Sequence, residues 1–192
     1  METIKNYIAA QGGAVFVVSQ VFSIIATVLL LLSYQQKTHK RIVMMQAVSG
    51  LLFGTQYLMI GAFEGMMCNY IGMVRAITYS FRNKSKAVDS VICPAFFAIA
   101  FIISGIFTYE SPLSLLPSVA MVFSSFVMWI PKTQELRALS LPTCAMWLIY
   151  NIKANALVAI FTEVFNILSI FIALLRFSKF AKNRKSKTNG GM

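Results

Sequence analysis

The chain has 192 residues, of which 58% are hydrophobic and 12% are charged, and its formal net charge at pH 7 is +11. This composition, with a mean hydropathy of +0.72, excludes an ordinary soluble domain, in which about a quarter of the residues are charged. The basic residues lie at the ends of apolar segments and near the C-terminus, a distribution typical of membrane topology signals and not of a nucleic-acid-binding surface.

Four stretches contain no Asp, Glu, Lys or Arg, namely residues 6–36, 42–63, 90–109 and 111–131. Each supplies the roughly 20 apolar residues that cross the hydrocarbon core. Because lipid cannot hydrogen-bond to open backbone groups, these stretches must form helices. The first residues carry no net positive charge and no clear cleavage site follows them, so we expect the N-terminal segment to be retained.

The apolar stretches and the charges between them predict seven helical segments, numbered in chain order: 13–34, 42–60, 62–81, 88–108, 112–130, 138–152 and 154–175. The third segment contains Arg75 and the seventh contains Glu163. The sixth segment is short, and we expect Arg137 and Lys153 at its ends to extend toward opposite membrane interfaces.

The charges between the segments predict the orientation of the chain. Fourteen basic residues fall on one side of the membrane: Lys37, Lys40, Arg41, Arg82, Lys84, Lys86, Lys132, Arg137, Arg176, Lys179, Lys182, Arg184, Lys185 and Lys187. The opposite side has only Lys5 and Lys153. By the positive-inside rule the N-terminus is outside and the C-terminus is cytoplasmic. The region after Arg176 has little to bury, which predicts an unstructured tail held near anionic lipid by its charge.

The two ends of the chain repeat one length pattern, in which a polar residue lies near the middle of the third and the seventh segment. Asn69 and Glu163 are 94 residues apart, and Tyr57 and Tyr150 are 93 apart. Two three-helix halves separated by one helix have the same orientation. The predicted fold is therefore all-α and transmembrane, with seven helices in a 3-1-3 parallel repeat. Its parts are a first repeat at 1–83, a linker helix at 84–110, a second repeat at 111–178 and a basic tail at 179–192.

Gln36 and Pro131, which follow the first and fifth segments, resemble the proline–glutamine element of PQ-loop proteins, and the 3-1-3 plan resembles the SWEET sugar facilitators. A wider set of positions resembles the YgjV-type bacterial inner-membrane family: Gln36-Lys37, Gly61-Ala62, Arg75, Trp147-Leu148-Ile149-Tyr150-Asn151 and Arg176. This second resemblance covers residues 15–178 and implies a multi-pass inner-membrane architecture more than a chemistry. The SWEET-like plan implies a cytoplasmic hinge or gate at Gln36 and Pro131.

Glu163 is a carboxylate in the middle of an apolar segment. Such a group is costly in the hydrocarbon zone unless it is paired, solvated or protonated, and it usually faces a cavity. If it is unpaired, burial favours its neutral form, which allows proton coupling. Asn166 lies on the same helical face. The SWEET resemblance implies substrate binding by a facing pair from the third and seventh segments, here Asn69 with Glu163 or Asn166. The alternative is a hydrogen bond between packed helices.

Three further residues are candidates for the same site. We expect Arg75 to pair with the carboxylate of the seventh segment or to bind an anionic substrate, the alternative being extension to the cytoplasmic headgroups. Phe53 and Trp147 occupy similar positions in the second and sixth segments and are candidate pocket walls. For Tyr57 and Tyr150 an aromatic belt near the outer surface is the better interpretation.

Nothing in the sequence indicates an enzyme. No HExxH, P-loop or GxSxG motif occurs, and the single histidine, His39, lies in a basic loop. The three cysteines are far apart and are expected to be packing residues. We therefore expect no catalytic residues, no cofactor and no metal site. Two glycine pairs with GxxxG spacing, Gly50/Gly54 and Gly61/Gly65, indicate close helix contact.

The leading interpretation is a SWEET-like facilitator or transporter of a small polar solute, with a midplane site between the third and seventh segments. A second is a substrate-capture subunit of a multicomponent importer, which six helices with both termini cytoplasmic would favour. A third is a membrane scaffold or lipid-associated regulator, which no small molecule would stabilise. The expected partners are an unidentified small polar solute, anionic lipid headgroups at the basic loops and tail, and a second copy in a homo-oligomer, but no nucleic acid.

Overall fold

The computed structural model describes residues 12–109, 111–153 and 157–189, and the expectation of a retained N-terminal segment lies outside them. Within these ranges the chain is helical and has no strand, so the all-α prediction is confirmed. Eight α-helices are described: α1 Gly12–Tyr34, α2 His39–Met59, α3 Phe63–Tyr79, α4 Lys86–Asp89, α5 Ile92–Phe107, α6 Leu115–Trp129, α7 Thr133–Lys153 and α8 Leu157–Asn189.

Each of the seven predicted segments overlaps one long helix, and α4 is a short turn of helix between α3 and α5. Four described spans are long and apolar enough to cross a membrane: Ala14–Tyr34, His39–Met59, Pro112–Trp129 and Val158–Phe177. The helix at Ile92–Phe107 is apolar but shorter. The remaining long helices, α3 and α7, each contain a buried arginine, which interrupts their apolar sequence.

The two largest differences from the predicted helix boundaries lie at the start of α7 and the end of α8. The helix α7 begins at Thr133, before the predicted start at 138, because Arg137 is buried within the helix instead of ending it. The helix α8 continues to Asn189, where an unstructured tail was predicted. Lysine, arginine and alanine are good helix formers, so the basic region continues the helix beyond its apolar part.

The outer surface of the bundle exposes large apolar side chains. On α5, Phe107 is 84% exposed, Ile92 is 72% exposed and Phe96 is 66% exposed. By contrast, Arg75 and Asn166 are almost completely buried. This reverses the usual distribution of a soluble protein, in which charged and amide side chains lie outside. It is the distribution expected of helices whose solvent is lipid.

Six of the helices form a closed ring. Along it α1 packs against α2, α2 against α3, α3 against α6, α6 against α7, α7 against α8, and α8 against α1. The helix α5 lies outside this ring, against α3 and α6. One apolar cluster contains Tyr79 and Phe101, and a second contains Tyr34 and Leu136. The ring leaves space at its centre.

Glycine permits a close contact between α2 and α3. A Cβ atom added at Gly54 would come within 2.5 Å of the Tyr70 ring, and one added at Gly65 would come within 2.7 Å of the Tyr57 ring. The Tyr70 ring of α3 therefore packs on Gly54 of α2, and the Tyr57 ring of α2 packs on Gly65 of α3. In the turn between them Gly61 has a φ of 74°, a left-handed conformation that glycine adopts at no steric cost.

Candidate functional site

The centre of the ring is a cavity of about 150 Å³. All six ring helices contribute to its walls, and α5 does not. Every residue predicted to bind substrate lines it: Phe53, Asn69, Arg75, Trp147, Glu163 and Asn166. The structure thus brings together six positions that are spread over more than a hundred residues of sequence.

The carboxylate on the α8 wall is hydrogen-bonded both within its own helix and to the Cys144 thiol of α7. The Nδ2 atom of Asn166 donates to Oε2 of Glu163 at 3.3 Å, as their spacing on one helical face predicts. Asn166 is 1% exposed, and its Oδ1 atom is buried without a hydrogen-bond partner. Glu163 forms no ion pair with any described residue. This wall therefore presents acceptor oxygens whose bonding capacity is unused.

Asn69 lines the same cavity from α3. Its Nδ2 atom donates to the backbone oxygen of Gly65 at 2.8 Å, within its own helix. This bond does not join two helices, so the amide is not the interhelical link of the alternative interpretation. Asn69 and Glu163 face one space from opposite halves of the chain.

Arg75 does not pair with Glu163 and does not extend to the headgroups, so both of those predictions are wrong. Its side chain is 2% exposed. Its Nη1 atom donates to the backbone oxygen of Met121 at 2.9 Å, to Oγ of Ser124 at 2.8 Å and to Oγ of Ser125 at 2.9 Å. The physical reason is that this guanidinium is buried between α3 and α6, away from water, so it takes its hydrogen-bond acceptors from α6.

The other groups around this guanidinium are also uncharged. Its Nη2 atom lies 3.0 Å from the sulfur of Met128, and its carbon atom lies 5.0 Å from the centre of the Phe101 ring. Its Nε atom is buried and has no hydrogen-bond partner. The positive charge of Arg75 thus has neutral neighbours only, and it remains available to an anionic group in the cavity.

Aromatic side chains form part of the cavity wall. Phe53 and Trp147 line it as predicted, and Tyr34 and Tyr57 line it as well. The prediction that places Tyr57 in an outer aromatic belt is therefore wrong, because its ring lies over Gly65 inside the bundle. The hydroxyl of Tyr150 instead donates to Oε2 of Glu64 at 3.1 Å, between α7 and α3.

Gln36 and Pro131, the predicted hinge or gate, do not line the cavity. They lie at the end of the bundle where α1, α3 and α6 finish and α2 and α7 begin, which we name the basic end. There Arg137 donates from Nε to the backbone oxygen of Tyr34 at 2.9 Å and from Nη2 to that of Gln36. Arg137 is 1% exposed, so its predicted extension to the interface is wrong. It caps the carbonyl groups at the end of α1, which need partners. The predicted extension of Lys153 concerns a side chain that is not among those described.

A second set of bonds caps α6 at the same end. His39, at the start of α2, has Nε2 at 2.7 Å from the backbone oxygen of Met128. Arg82 donates to the backbone oxygen of Trp129 and stacks 3.6 Å from the centre of the Trp129 ring. The first helix of each half is thus capped by side chains from the other half. The sequence signalled only that these residues are basic.

Sequence reasoning missed several polar residues of the cavity. Gln46, Ser49, Ser124, Ser140, Thr143, Asn151 and Thr162 line it, together with Cys144. Hydroxyl groups are common in membrane helices because they bond to their own backbone, so their presence did not identify a site. No group of three or more His, Cys, Asp or Glu in the described part of the chain could hold a metal ion.

The apolar exterior and the polar interior define a multi-pass helical membrane protein. Sequence comparison then shows the family. The model of the family described as bacterial inner membrane protein, Imp-YgjV, matches residues 17–181. The chain belongs to this family, as the sequence resemblance implied. No curated protein and no solved structure matches the chain.

Proposed function

We propose that this inner-membrane protein is a SWEET-like facilitator or transporter of a small polar solute, which binds at the cavity between α3 and α8. The observation that carries the proposal is the cavity at the centre of the ring, to which both halves of the chain contribute polar groups. A volume of about 150 Å³ suits a small solute, since sites for larger organic ligands usually measure about 300–1,000 Å³.

The packing order supports a 3-1-3 parallel repeat. If α1, α2 and α3 form one half and α6, α7 and α8 the other, the contact of α1 with α2 corresponds to that of α6 with α7. The contact of α2 with α3 likewise corresponds to that of α7 with α8. Two contacts join the halves, α3 with α6 and α8 with α1. The rotation that places α1, α2 and α3 on α6, α7 and α8 converts each of these two contacts into the other. A twofold axis along the membrane normal relates parallel repeats in this way.

The bonds at the basic end support a gate there. Arg137 of the second half bonds to the backbone of Gln36, and His39 and Arg82 of the first half bond to the end of α6, immediately before Pro131. Opening this end requires the two halves to separate at Gln36 and Pro131. We propose that the basic end is cytoplasmic and lies against anionic headgroups, as the positive-inside rule predicts.

Transport is tested in proteoliposomes that contain the full chain, with stopped-flow light scattering as the readout. The solutes are glycerol, xylitol, xylose, glycine and alanine. We expect at least one of them to enter faster than into protein-free liposomes. Replacing Asn69 or Glu163 with Ala should return that rate to the protein-free value without loss of insertion. Phe161→Ala is the matched control, because this α8 side chain is 61% exposed on the lipid side. Protein-free rates for every solute would contradict the proposal.

A second experiment separates the facilitator from the substrate-capture subunit. Reporters fused to the two termini of the full chain should be found on opposite sides of the membrane, with the C-terminal reporter cytoplasmic. Two cytoplasmic reporters would exclude an odd number of membrane crossings and favour the capture subunit. A scaffold or lipid-associated regulator would give no stabilisation by any small molecule. Association of the solubilised chain with itself tests the expected homo-oligomer.

A further inference from the structure

The cavity contains an acidic and a basic side chain that form no ion pair with each other. Among the described residues that line it, Glu163 has the only carboxyl group and Arg75 the only guanidinium group. Their described partners are neutral: Glu163 is bonded to the amide of Asn166 and the thiol of Cys144, and Arg75 to hydroxyl, carbonyl and thioether groups. They reach the cavity from opposite halves of the chain, on α8 and α3. Isolated charges inside a membrane bundle are costly, and a counter-charge relieves that cost.

The α8 side of the cavity is suited to an ammonium group. Glu163 supplies a carboxylate, and Asn166 supplies a buried Oδ1 atom that accepts no hydrogen bond. An ammonium group has three donors and no acceptor, which matches these unused oxygens. Phe53, Tyr57 and Trp147 line the same space, and aromatic faces attract cations.

The α3 side is suited to an anionic group. Arg75 is held in place by its bonds to α6, so its charge is fixed relative to the cavity. Its buried Nε atom has no acceptor, and Thr143 of α7, which also lines the cavity, has a buried Oγ1 atom without a partner. A carboxylate accepts from donors of both kinds and has no hydrogen that would compete for them.

We propose that the solute is a small zwitterion, with a protonated amine that faces Glu163 and a carboxylate that faces Arg75. This rests on the proposed function, whose site it specifies. A neutral polyol would leave both charges without a counter-charge, and a simple cation or anion would neutralise only one of them. A zwitterion of suitable length compensates both and brings no net charge into the membrane.

The test measures thermal stabilisation of the full chain in detergent by two series of probes. One series is alanine, isopropylamine, propionate and propane-1,2-diol. The other is γ-aminobutyrate, butylamine, butyrate and butane-1,4-diol, in which the charged ends are farther apart. We expect a zwitterion of one series to raise Tm at about tenfold or more lower concentration than its three partners. A diol that acts as well as the matching zwitterion would overturn the proposal, as would no response to either zwitterion.

A variant then assigns the charge. Glu163→Gln keeps the shape of the side chain but removes its charge, so the zwitterion should bind about tenfold or more weakly. The matching anion should in turn bind better, because Arg75 is then the only charge in the cavity. Phe161→Ala should leave both affinities unchanged. An unchanged zwitterion affinity in Glu163→Gln would contradict the assignment.

The two proposals can fail separately. If a zwitterion stabilises the protein but does not cross proteoliposomes, the facilitator is wrong and the ligand class stands. If a polyol crosses and no zwitterion binds, the ligand class is wrong and the facilitator stands.

Discussion

Two contacts join the halves of the ring, and they are built from different chemistry. At the contact of α3 with α6, the guanidinium of Arg75 binds three oxygens and one sulfur. The hydroxyl of Tyr79 adds a bond of 2.8 Å to the backbone oxygen of Ser125. At the contact of α1 with α8, the described hydrogen bonds join neutral groups. Thr27 and Thr162 lie 3.1 Å apart, and Gln35 donates to the backbone oxygen of Ser169 at 2.9 Å.

The two contacts differ in the hydrogen-bond partners that their side chains lose when the helices separate. The hydroxyls of Thr27 and Thr162 also bond to backbone oxygens of their own helices, at 2.8 and 2.9 Å, so they keep partners after separation. Arg75 has no such local partner and would become an unsolvated charge. We infer that α1 and α8 part more readily than α3 and α6.

The largest expected effect breaks the charged contact. Replacing Arg75 with Met should lower the free energy of unfolding by about 3 kcal/mol or more, because the hydroxyls and the carbonyl on α6 lose charged donors. This corresponds to a fall in Tm of roughly 10 °C. Arg75→Lys keeps the charge but not the planar fork and should fall between Met and the original residue. Thermal unfolding in detergent measures both. Equal Tm values for the original protein and Arg75→Met would remove the distinction between the two contacts.

A smaller effect is expected from a second substitution at the contact of α3 with α6. Tyr79→Phe removes only the hydroxyl that donates to Ser125 and keeps the ring, which packs edge-on against Phe97 with centroids 5.7 Å apart. We expect a loss of about 1 kcal/mol, the net value of one intramolecular hydrogen bond. The measurement is the same thermal unfolding, with Tyr109→Phe as control because Tyr109 is 55% exposed. A loss as large as that of Arg75→Met would mean that the charge is not what distinguishes this contact.

The smallest effect is expected at the neutral contact. In a double-mutant cycle, Thr27→Val and Thr162→Val should be coupled by about 0.6 kcal/mol, the average for such bonds in membrane helices. Each hydroxyl has a single hydrogen that it already uses within its own helix, so the bond between them competes with existing ones. A coupling energy above about 2 kcal/mol would show that α1 and α8 are held as firmly as α3 and α6.

How far the sequence could predict this site depends on how rare each signal is. A carboxylate or a guanidinium inside an apolar segment is unusual, and Glu163 and Arg75 were identified for that reason. The partners of Arg75 could not be predicted, because Ser124 and Ser125 differ in no local way from serines elsewhere in these helices. Whether a buried arginine pairs with a carboxylate, extends to the headgroups or bonds to the groups of another helix depends on which helix lies nearest to it in three dimensions.

The same limit applies to the ends of the helices. The charge pattern predicted the segments well, since lipid requires long apolar stretches. The same pattern placed Arg137 at an interface, because this residue lies at the edge of an apolar stretch. The carbonyl groups at the end of α1 attract this residue inward, and that need is visible only when the two helices are seen side by side. The cavity-lining hydroxyls were missed because serine and threonine serve packing and binding alike.

The glycine beneath the Tyr57 ring has a consequence for the size of the cavity. Tyr57 borders the cavity on one side and rests on Gly65 on the other. The lack of a side chain at that glycine determines how far the ring stands back from the centre of the cavity. A methyl group there would push the ring inward and shrink the chamber while every charge and polar atom around it stayed unchanged. The size of the cavity can therefore be changed at Gly65 on α3 and its charge at Glu163 on α8, independently of each other.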